Sequence, residues 1–337
     1  MLNVAKINLN NLLYNARQVK KLLSKKVKFC AVVKADAYGH GGVECANALY
    51  PLVDCFAVAI TEEGVSLRIA GIDKDILVLN PIFSCDLERA VRYNLTLSAD
   101  SLFQLKKIEK ESKNQKRKTK VHLIFNTGMN RNGVDSLEEL SVLAKYVNNS
   151  KWLLLDGLYS HFHSAEKKRL LKRSLNKFLL AIKVVKGYNI NATCHISASG
   201  GFLQGVFLDM VRIGILLYGY TPFKSKKISL KPVMKVFAPV LKVRTLYRGN
   251  FIMYGSKKVL KKQKVSIVRL GYADGFFRQK NSFTINNKCM DLTAVKGKYK
   301  KEYVCMENAE ILAKKHKTIA YEILVKATIR AEKIYVK

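Results

Sequence analysis

Between residues 29 and 214 the sequence keeps a fixed rhythm: short β-forming apolar runs alternate with helix-type amphipathic or turn-rich stretches. The runs are FCAVVK (29–34), CFAVAI (55–60), DILVLN (75–80), NLTLSA (94–99), KVHLIFN (120–126), LLLDGLYS (153–160), ATCHISA (192–198) and DMVRIG (209–214). Between them lie GVECANALY, EEGVSLRIAG, SLEELSVLAKYV and AEKKRLLKRSLNKFLLAIKVVKG. Strands separated by helical crossovers pair in parallel, and eight of them predict a TIM-type (β/α)8 barrel in the α/β class. An open doubly wound sheet is the alternative topology.

After residue 224 the texture changes. PVMKVFAPVLKVRTLY, NFIMYG, KVSIVRLGYADGFF and SFTINNKCMDLTAV are β-rich with short turns, and NAEILAKKHK is the one helical-looking stretch. This divides the chain into a barrel over 10–224 and a mainly β C-terminal domain over 225–337, into which residues 1–9 are expected to pair. The boundary falls in YTPFKSKKISLKP, where proline and lysine accumulate.

Composition bounds the function. An apolar share of 49% in 337 residues supports a sizeable core. No run approaches the roughly 20 apolar residues that a membrane-spanning helix needs. The start, MLNVAKINLN, has no apolar core or cleavage site of a secretory signal, so a cytoplasmic, non-membrane protein is expected. Seven scattered cysteines without metal-type spacing read as reduced thiols, and no metal site is expected. The net charge of +35 raises the question of a nucleic-acid partner. Its basic residues are mostly lysines spread along the chain. The densest run, Lys106 to Lys120, is broken by glutamates and has no interleaved aromatics, which argues for a solvated helix and loop against a stacking groove.

Barrel active sites form at the C-terminal ends of the strands. Those ends carry Lys34 with Tyr38 after the first run, Arg131 in NTGMNRNG after the fifth, and His161 in SHFH after the sixth. Ser199 follows the seventh, and Arg212 with Gly214 closes the eighth. His163 is read as structural. A lysine desolvated at a strand end is a good imine-forming nucleophile. Ser199 and Gly214 stand where barrels commonly bind phosphate. An imine-forming lysine and a phosphate cradle on one rim together describe pyridoxal 5'-phosphate.

These residues sit in motifs that resemble the alanine racemase family: AVVKADAYGHG, NTGMNRNGV, GLYSHF, RIGILLYG, MYGS, GYADG and CMD, in the family's order from residue 31 to 291. The resemblance implies an isomerase that interconverts L- and D-alanine on a pyridoxal-phosphate aldimine, supplying D-alanine for peptidoglycan. It implies that Lys34 carries the cofactor and that Lys34 and Tyr254 are the two bases. Tyr38, Ser199, Gly214 and Ile215 would hold the phosphate, Arg212 would face the pyridine nitrogen, and His161 would hydrogen-bond to Arg212. Arg131 would bind the substrate carboxylate, with Met290 and Tyr272 lining the mouth from the partner chain. A homodimer with shared active sites is implied, each Tyr254 serving the neighbouring subunit.

Three positions depart from the family's pattern. Ile124 stands where many members have a carbamate-modified lysine that props the carboxylate-binding arginine. Ala198 replaces a common asparagine, and Ile329 a phosphate-binding tyrosine. None touches Lys34 or Tyr254, so altered affinity or rate is expected rather than lost chemistry. The competing readings are a racemase of serine or another small amino acid, and a non-racemising pyridoxal-phosphate-binding protein. The latter resemble only the barrel half.

Overall fold

The computed structural model describes residues 2–82, 84–254, 258–278 and 287–337. Gly255 of the expected NFIMYG run, Ser256 of MYGS, and residues 282–286 of SFTINNKCMDLTAV lie outside the described residues. The chain divides into two compact units, one of Leu13–Ala37 with Gly42–Leu230, the other of Met1–Leu12, Tyr38–Gly41 and Lys231–Lys337.

The strands in chain order are β1 (Asn3–Asn8), β2 (Lys28–Val32), β3 (Cys55–Val58), β4 (Ile76–Pro81), β5 (Thr96–Ala99), β6 (Thr119–Ile124), β7 (Leu153–Tyr159), β8 (Thr193–His195) and β9 (Met210–Ile213). The last eight, β2 to β9, form one parallel sheet in the order β8-β7-β6-β5-β4-β3-β2-β9. Its ends meet. The Arg212 N–H donates to the Ser197 carbonyl at 2.9 Å and the Asp209 N–H to the Cys194 carbonyl at 3.1 Å, which closes the sheet into the expected barrel. Strands covered on both faces read as continuous apolar runs, and Phe29 to Val32 are all buried accordingly.

The helices between the strands obey ordinary rules. Ser101 and Ser136 cap Leu102–Asn114 and Leu137–Asn149 by accepting from the N–H groups of Gln104 and Glu139. Lys168–Tyr188 buries Ser174, Phe178, Ala181 and Val185 along one stripe and turns its lysines outward. The dense basic run likewise begins in a helix that buries Leu105, Ile108 and Ser112, so its lysines are a solvated face. Among the described residues no helix is long and apolar enough to cross a membrane.

The other unit is built on β10 (Met234–Leu246), β11 (Gln263–Val268), β12 (Asn287–Lys288), β13 (Thr293–Lys296), β14 (Glu302–Met306) and β15 (Ala331–Val336). They form a sheet ordered β12-β13-β11-β10-β1-β15, with β14 also paired to β10. β1 runs antiparallel to β10 and parallel to β15. Two helices accompany it: Ala309–His316, in the stretch that looks helical by sequence, and Ala320–Lys326, which was not anticipated. The second is a single short segment whose apolar spacing (Ala320, Ile323, Leu324 buried) spans too few residues to stand out in the sequence.

The barrel interior is not purely apolar. β7 carries Gly157 where a Cβ would lie 2.6 Å from Cε1 and 2.7 Å from Nδ1 of the buried His122 ring on β6. A glycine here is what lets an imidazole occupy the core. Gly157→Ala is expected to lower stability by about 1–3 kcal/mol through overpacking, measured by urea unfolding.

Candidate active site

Lys34 leaves the barrel from a firmly held base. The Tyr218 hydroxyl, on a fully buried side chain, donates to the Val32 carbonyl at 2.9 Å, and the Val33 N–H donates to the Ala57 carbonyl at 2.9 Å. The chain then makes a left-handed helical turn: Ala35, Asp36, Ala37 and Tyr38 have φ of 51°, 53°, 53° and 55°, ahead of Gly39 at 82°. Each such L-residue costs roughly 1–2 kcal/mol. Glu63 offsets part of this, its carboxylate accepting from the Ala35 N–H at 2.6 Å and the Ala59 N–H at 2.7 Å. Asp36 accepts from the Gly42 N–H at 2.6 Å. Charge-assisted bonds of this kind contribute about 1.5–3 kcal/mol each, the same order as the backbone cost. Burial, with the charges of Arg131 and Arg212, lowers the Lys34 amine below its ordinary value, while the Glu63 carboxylate works upward. A lysine so lowered has more of its nucleophilic free amine at neutral pH.

Arg131 sits on a loop held by its backbone. The Asn126 side-chain oxygen accepts from the N–H groups of Gly128 (2.9 Å) and Asn130 (3.1 Å), and the Asn126 amide donates to Asn130 (2.9 Å) and Asp135 (2.6 Å). The Asp100 carboxylate accepts from the Gly133 N–H at 2.9 Å, and Asn126 and Val134 close the loop through backbone bonds. Ile124, buried in β6, brings no polar side chain, and its carbonyl accepts from the Val134 N–H at 3.1 Å. The backbone of the loop that carries Arg131 is thus held by its own amides.

Arg212 is buried at 3% exposure, and its guanidinium is almost fully committed. Nη1 donates to His195 Nδ1 and, at 3.2 Å, to the His195 carbonyl. Nη2 donates to the Ser160 carbonyl at 2.7 Å, with His161 Nδ1 and the Ile196 carbonyl each at 3.4 Å. Among the described residues the Nε–H has no acceptor, so one of the five donors of this side chain is left for something else. Tyr159 lies 5.1 Å beneath the guanidinium and stacks on His195 at 5.2 Å. Burial lowers Arg212 to about 10, so it stays protonated at neutral pH. Burial, then the charges of Arg212, Arg131 and Lys34, push His161 down to about 3, so its imidazole is neutral.

Beyond β8, Ser199 opens a short helix and its hydroxyl accepts from the Gly214 N–H at 3.3 Å, with Ile215 next in the chain and buried. Gly200 and Gly201 are tight: a Cβ at Gly201 would lie 2.5 Å from the Ser197 hydroxyl. Ala198 pairs with Arg212 across the barrel seam through its backbone.

The remaining predicted residues belong to the other unit. Tyr38 is buried with its ring 5.8 Å from that of Tyr321, and burial raises its phenol above the ordinary range. The GYADG and CMD segments meet: the Tyr272 N–H donates to the Cys289 carbonyl at 3.1 Å and the Ala273 N–H to the Met290 carbonyl at 3.0 Å. A Cβ on Gly271 would fall 1.9 Å from the Met290 oxygen, so only glycine permits the approach. Asp274 accepts from the Gly271 N–H at 2.8 Å and faces Arg330 at 3.6 Å, and Arg330 in turn holds Asp291 at 2.7 Å. Tyr272, Met290, Tyr254 and Ile329 are all exposed.

The barrel thus gathers Lys34, Arg131, His161 and Arg212 closely enough for their charges to act on one another. The sequence reading missed Glu63, Asn126, Asp100 and Tyr159, and it missed two buried histidines, His122 and His195. The signal was present for the last two: KVHLIFN and ATCHISA each carry a histidine inside an otherwise apolar strand.

A closed parallel barrel with a low-pKa lysine and a buried arginine at its mouth, followed in the chain by a mainly β unit, defines a fold class shared with amino-acid racemases. The family models for the alanine racemase N-terminal and C-terminal domains match residues 7–222 and 233–335. A curated alanine racemase of Clostridium kluyveri is 34% identical over 98% of this chain and 93% of its own length. One of Francisella tularensis is 32% identical over 82% of this chain and 78% of its own. The solved alanine racemase of Clostridium difficile superposes with a TM-score of 0.94 at 30% identity, covering 100% of this chain and 96% of that one. The Bacillus anthracis alanine racemase with bound L-Ala-P gives 0.91 at 26% identity, over 99% of this chain and 95% of that one. The chain belongs to the alanine racemase family, whose members are isomerases.

Two outcomes test this site without any ligand. Ala35 is exposed and strained, so Ala35→Gly is expected to raise stability by about 1 kcal/mol in urea unfolding, the reverse of the usual effect of glycine in a helical turn. The second concerns His161. Its folded-state value of about 3 lies below the ordinary 6.5, so between these pH values the unfolded chain holds a proton that the folded one lacks. Stability therefore gains from His161 as pH rises from about 3 to 6.5. His161→Gln is expected to flatten that part of the pH–stability curve relative to wild type, followed by urea unfolding at each pH.

Proposed function

We propose that this chain is a pyridoxal-phosphate-dependent racemase that interconverts L-alanine and D-alanine in the cytoplasm, supplying D-alanine for peptidoglycan. The observation that carries the reading is the uncommitted Nε–H of buried Arg212 at the same barrel mouth as the lowered amine of Lys34. A pyridine nitrogen accepts from such a donor and an aldehyde condenses with such an amine. The Ser199 hydroxyl beside the Gly214 N–H, with the Ile215 backbone next, is a donor set suited to a phosphate. The residues present fit the cofactor.

When bound, pyridoxal phosphate supplies the electron sink that makes the substrate's α-proton removable. Everything else falls to side chains. Lys34 would hold the cofactor and would move the proton on one face of the substrate's α-carbon, and Tyr254 would move it on the other. Arg131 orients the carboxylate, and Met290 and Tyr272 of a second copy line the mouth. Arg212 can only donate, so it keeps the ring nitrogen unprotonated and moderates the sink against side reactions such as transamination. His161, neutral beside Arg212, is not an imidazolium and so is no acid for the ring nitrogen.

The domain division at 224/225 and a homodimer in which Tyr254 serves the site of a second copy belong to the same proposal. The test is complementation. Lys34→Ala and Tyr254→Phe are each expected to be inactive, and Lys34→Ala also to lose the borohydride-sensitive visible absorbance. Mixed after subunit exchange, they are expected to recover racemisation of L-alanine up to about half the wild-type value per heterodimer, because one of the two sites carries neither lesion. Background activity after verified exchange would sink the shared site.

A further inference from the structure

Behind Arg212 a file of polar side chains crosses the barrel core. His195 Nδ1 receives the Arg212 Nη1 hydrogen, His195 Nε2 lies 2.9 Å from His122 Nδ1, and His122 Nε2 lies 3.1 Å from Asp156 Oδ2. His195 is fully buried and His122 nearly so, while the Asp156 side chain is partly exposed on β7. Both imidazoles sit among apolar strand residues, His122 in room that Gly157 leaves open. Neither is used in the proton transfers described above.

The hydrogen bonds of this file can run in only one direction. A guanidinium has no lone pair to offer, so His195 Nδ1 must be the acceptor and its proton must sit on Nε2. That proton points at His122 Nδ1, which must then accept, leaving the His122 proton on Nε2 and aimed at the Asp156 carboxylate. Any other tautomer, or a second proton on either ring, sets two N–H groups against each other. Burial and the Arg212 charge hold His195 well below the ordinary imidazole range, in keeping with a neutral ring. Although burial works upward on Asp156, the hydrogen bond from His122, with the charges of Lys120 and Lys28, keeps its carboxyl below the ordinary value.

We infer that Asp156 and His122 are positioning residues for Arg212: by fixing the tautomer of His195 they supply the acceptor that orients the guanidinium and leaves its Nε–H facing the cofactor. This rests on the reading of Arg212 as cofactor-facing. Asp156 anchors the far end of the file, so removing its carboxylate frees both rings to take the wrong tautomer.

Selective 15N labelling of the six histidines reads the tautomers directly in the protein without cofactor. In wild type, His122 and His195 are expected to be protonated on Nε2. In Asp156→Ala both are expected to become tautomer mixtures, the bound-cofactor absorbance maximum to move, and kcat to fall roughly tenfold with KM for alanine unchanged. Asp156→Asn keeps a carbonyl oxygen that accepts the same bond and is expected to restore the wild-type tautomers and spectrum. Thermal unfolding of both variants separates these effects from loss of the fold. Unchanged tautomers in Asp156→Ala, or equal disturbance by Asn and Ala, would overturn the file as a positioning device. Altered tautomers with an unmoved cofactor spectrum would overturn instead the link from Arg212 to the cofactor. Racemisation of alanine by the wild-type protein tests the functional reading separately from either result.

Discussion

A guanidinium at 3% exposure in a barrel core is the constraint on which the rest of the site depends. An unpaired charge there would cost several kcal/mol, so the barrel is arranged to surround it with acceptors. The carbonyls of Ser160, His195 and Ile196 are turned toward it from the ends of two strands, and the His195 ring completes the set. To place His195 the core must accept a second imidazole, and to accept that ring β7 must have a glycine at 157. One charged side chain thus dictates the identity of residues on three other strands or their ends.

Much of this was legible in the sequence. The eight strands fall within one to three residues of the apolar runs, because strands buried on both faces announce themselves as continuous hydrophobic stretches. The polar residues at their ends were legible for the same reason, as interruptions where an apolar run stops. What could not be read is whatever depends on neighbours distant in the chain. Glu63 looks like a helix N-terminal carboxylate, and it is one, but its second oxygen reaches across to the Ala35 N–H. His122 and His195 are separated by dozens of residues, and only barrel closure makes them partners. The Ala320–Lys326 helix was missed because its few apolar positions are as compatible with a strand as with a turn of helix.

With isoleucine at 124, the loop that carries Arg131 is held from within. Asn126 makes four hydrogen bonds inside the loop and Asp100 ties it down at Gly133. Such bonds are local and independent of any modification of a side chain. The position of Arg131 then depends on amide geometry in the NTGMNRNG segment, where glycines at 128 and 133 take φ of 115° and 104°.

The turn after Lys34 has handedness opposite to every ordinary helix of the chain. Ala35 and Ala37 hold φ near +50°, a conformation that is strained for an L-residue and relaxed for its mirror image. A semisynthetic chain with D-alanine at 35 and 37 would keep the Glu63 and Val33 hydrogen bonds of these backbone amides while losing the steric cost between Cβ and carbonyl oxygen. The segment that follows Lys34 is therefore shaped, within an all-L polypeptide, as the enantiomeric backbone would shape it. The residue type that would relieve it is the proposed product of the site it builds.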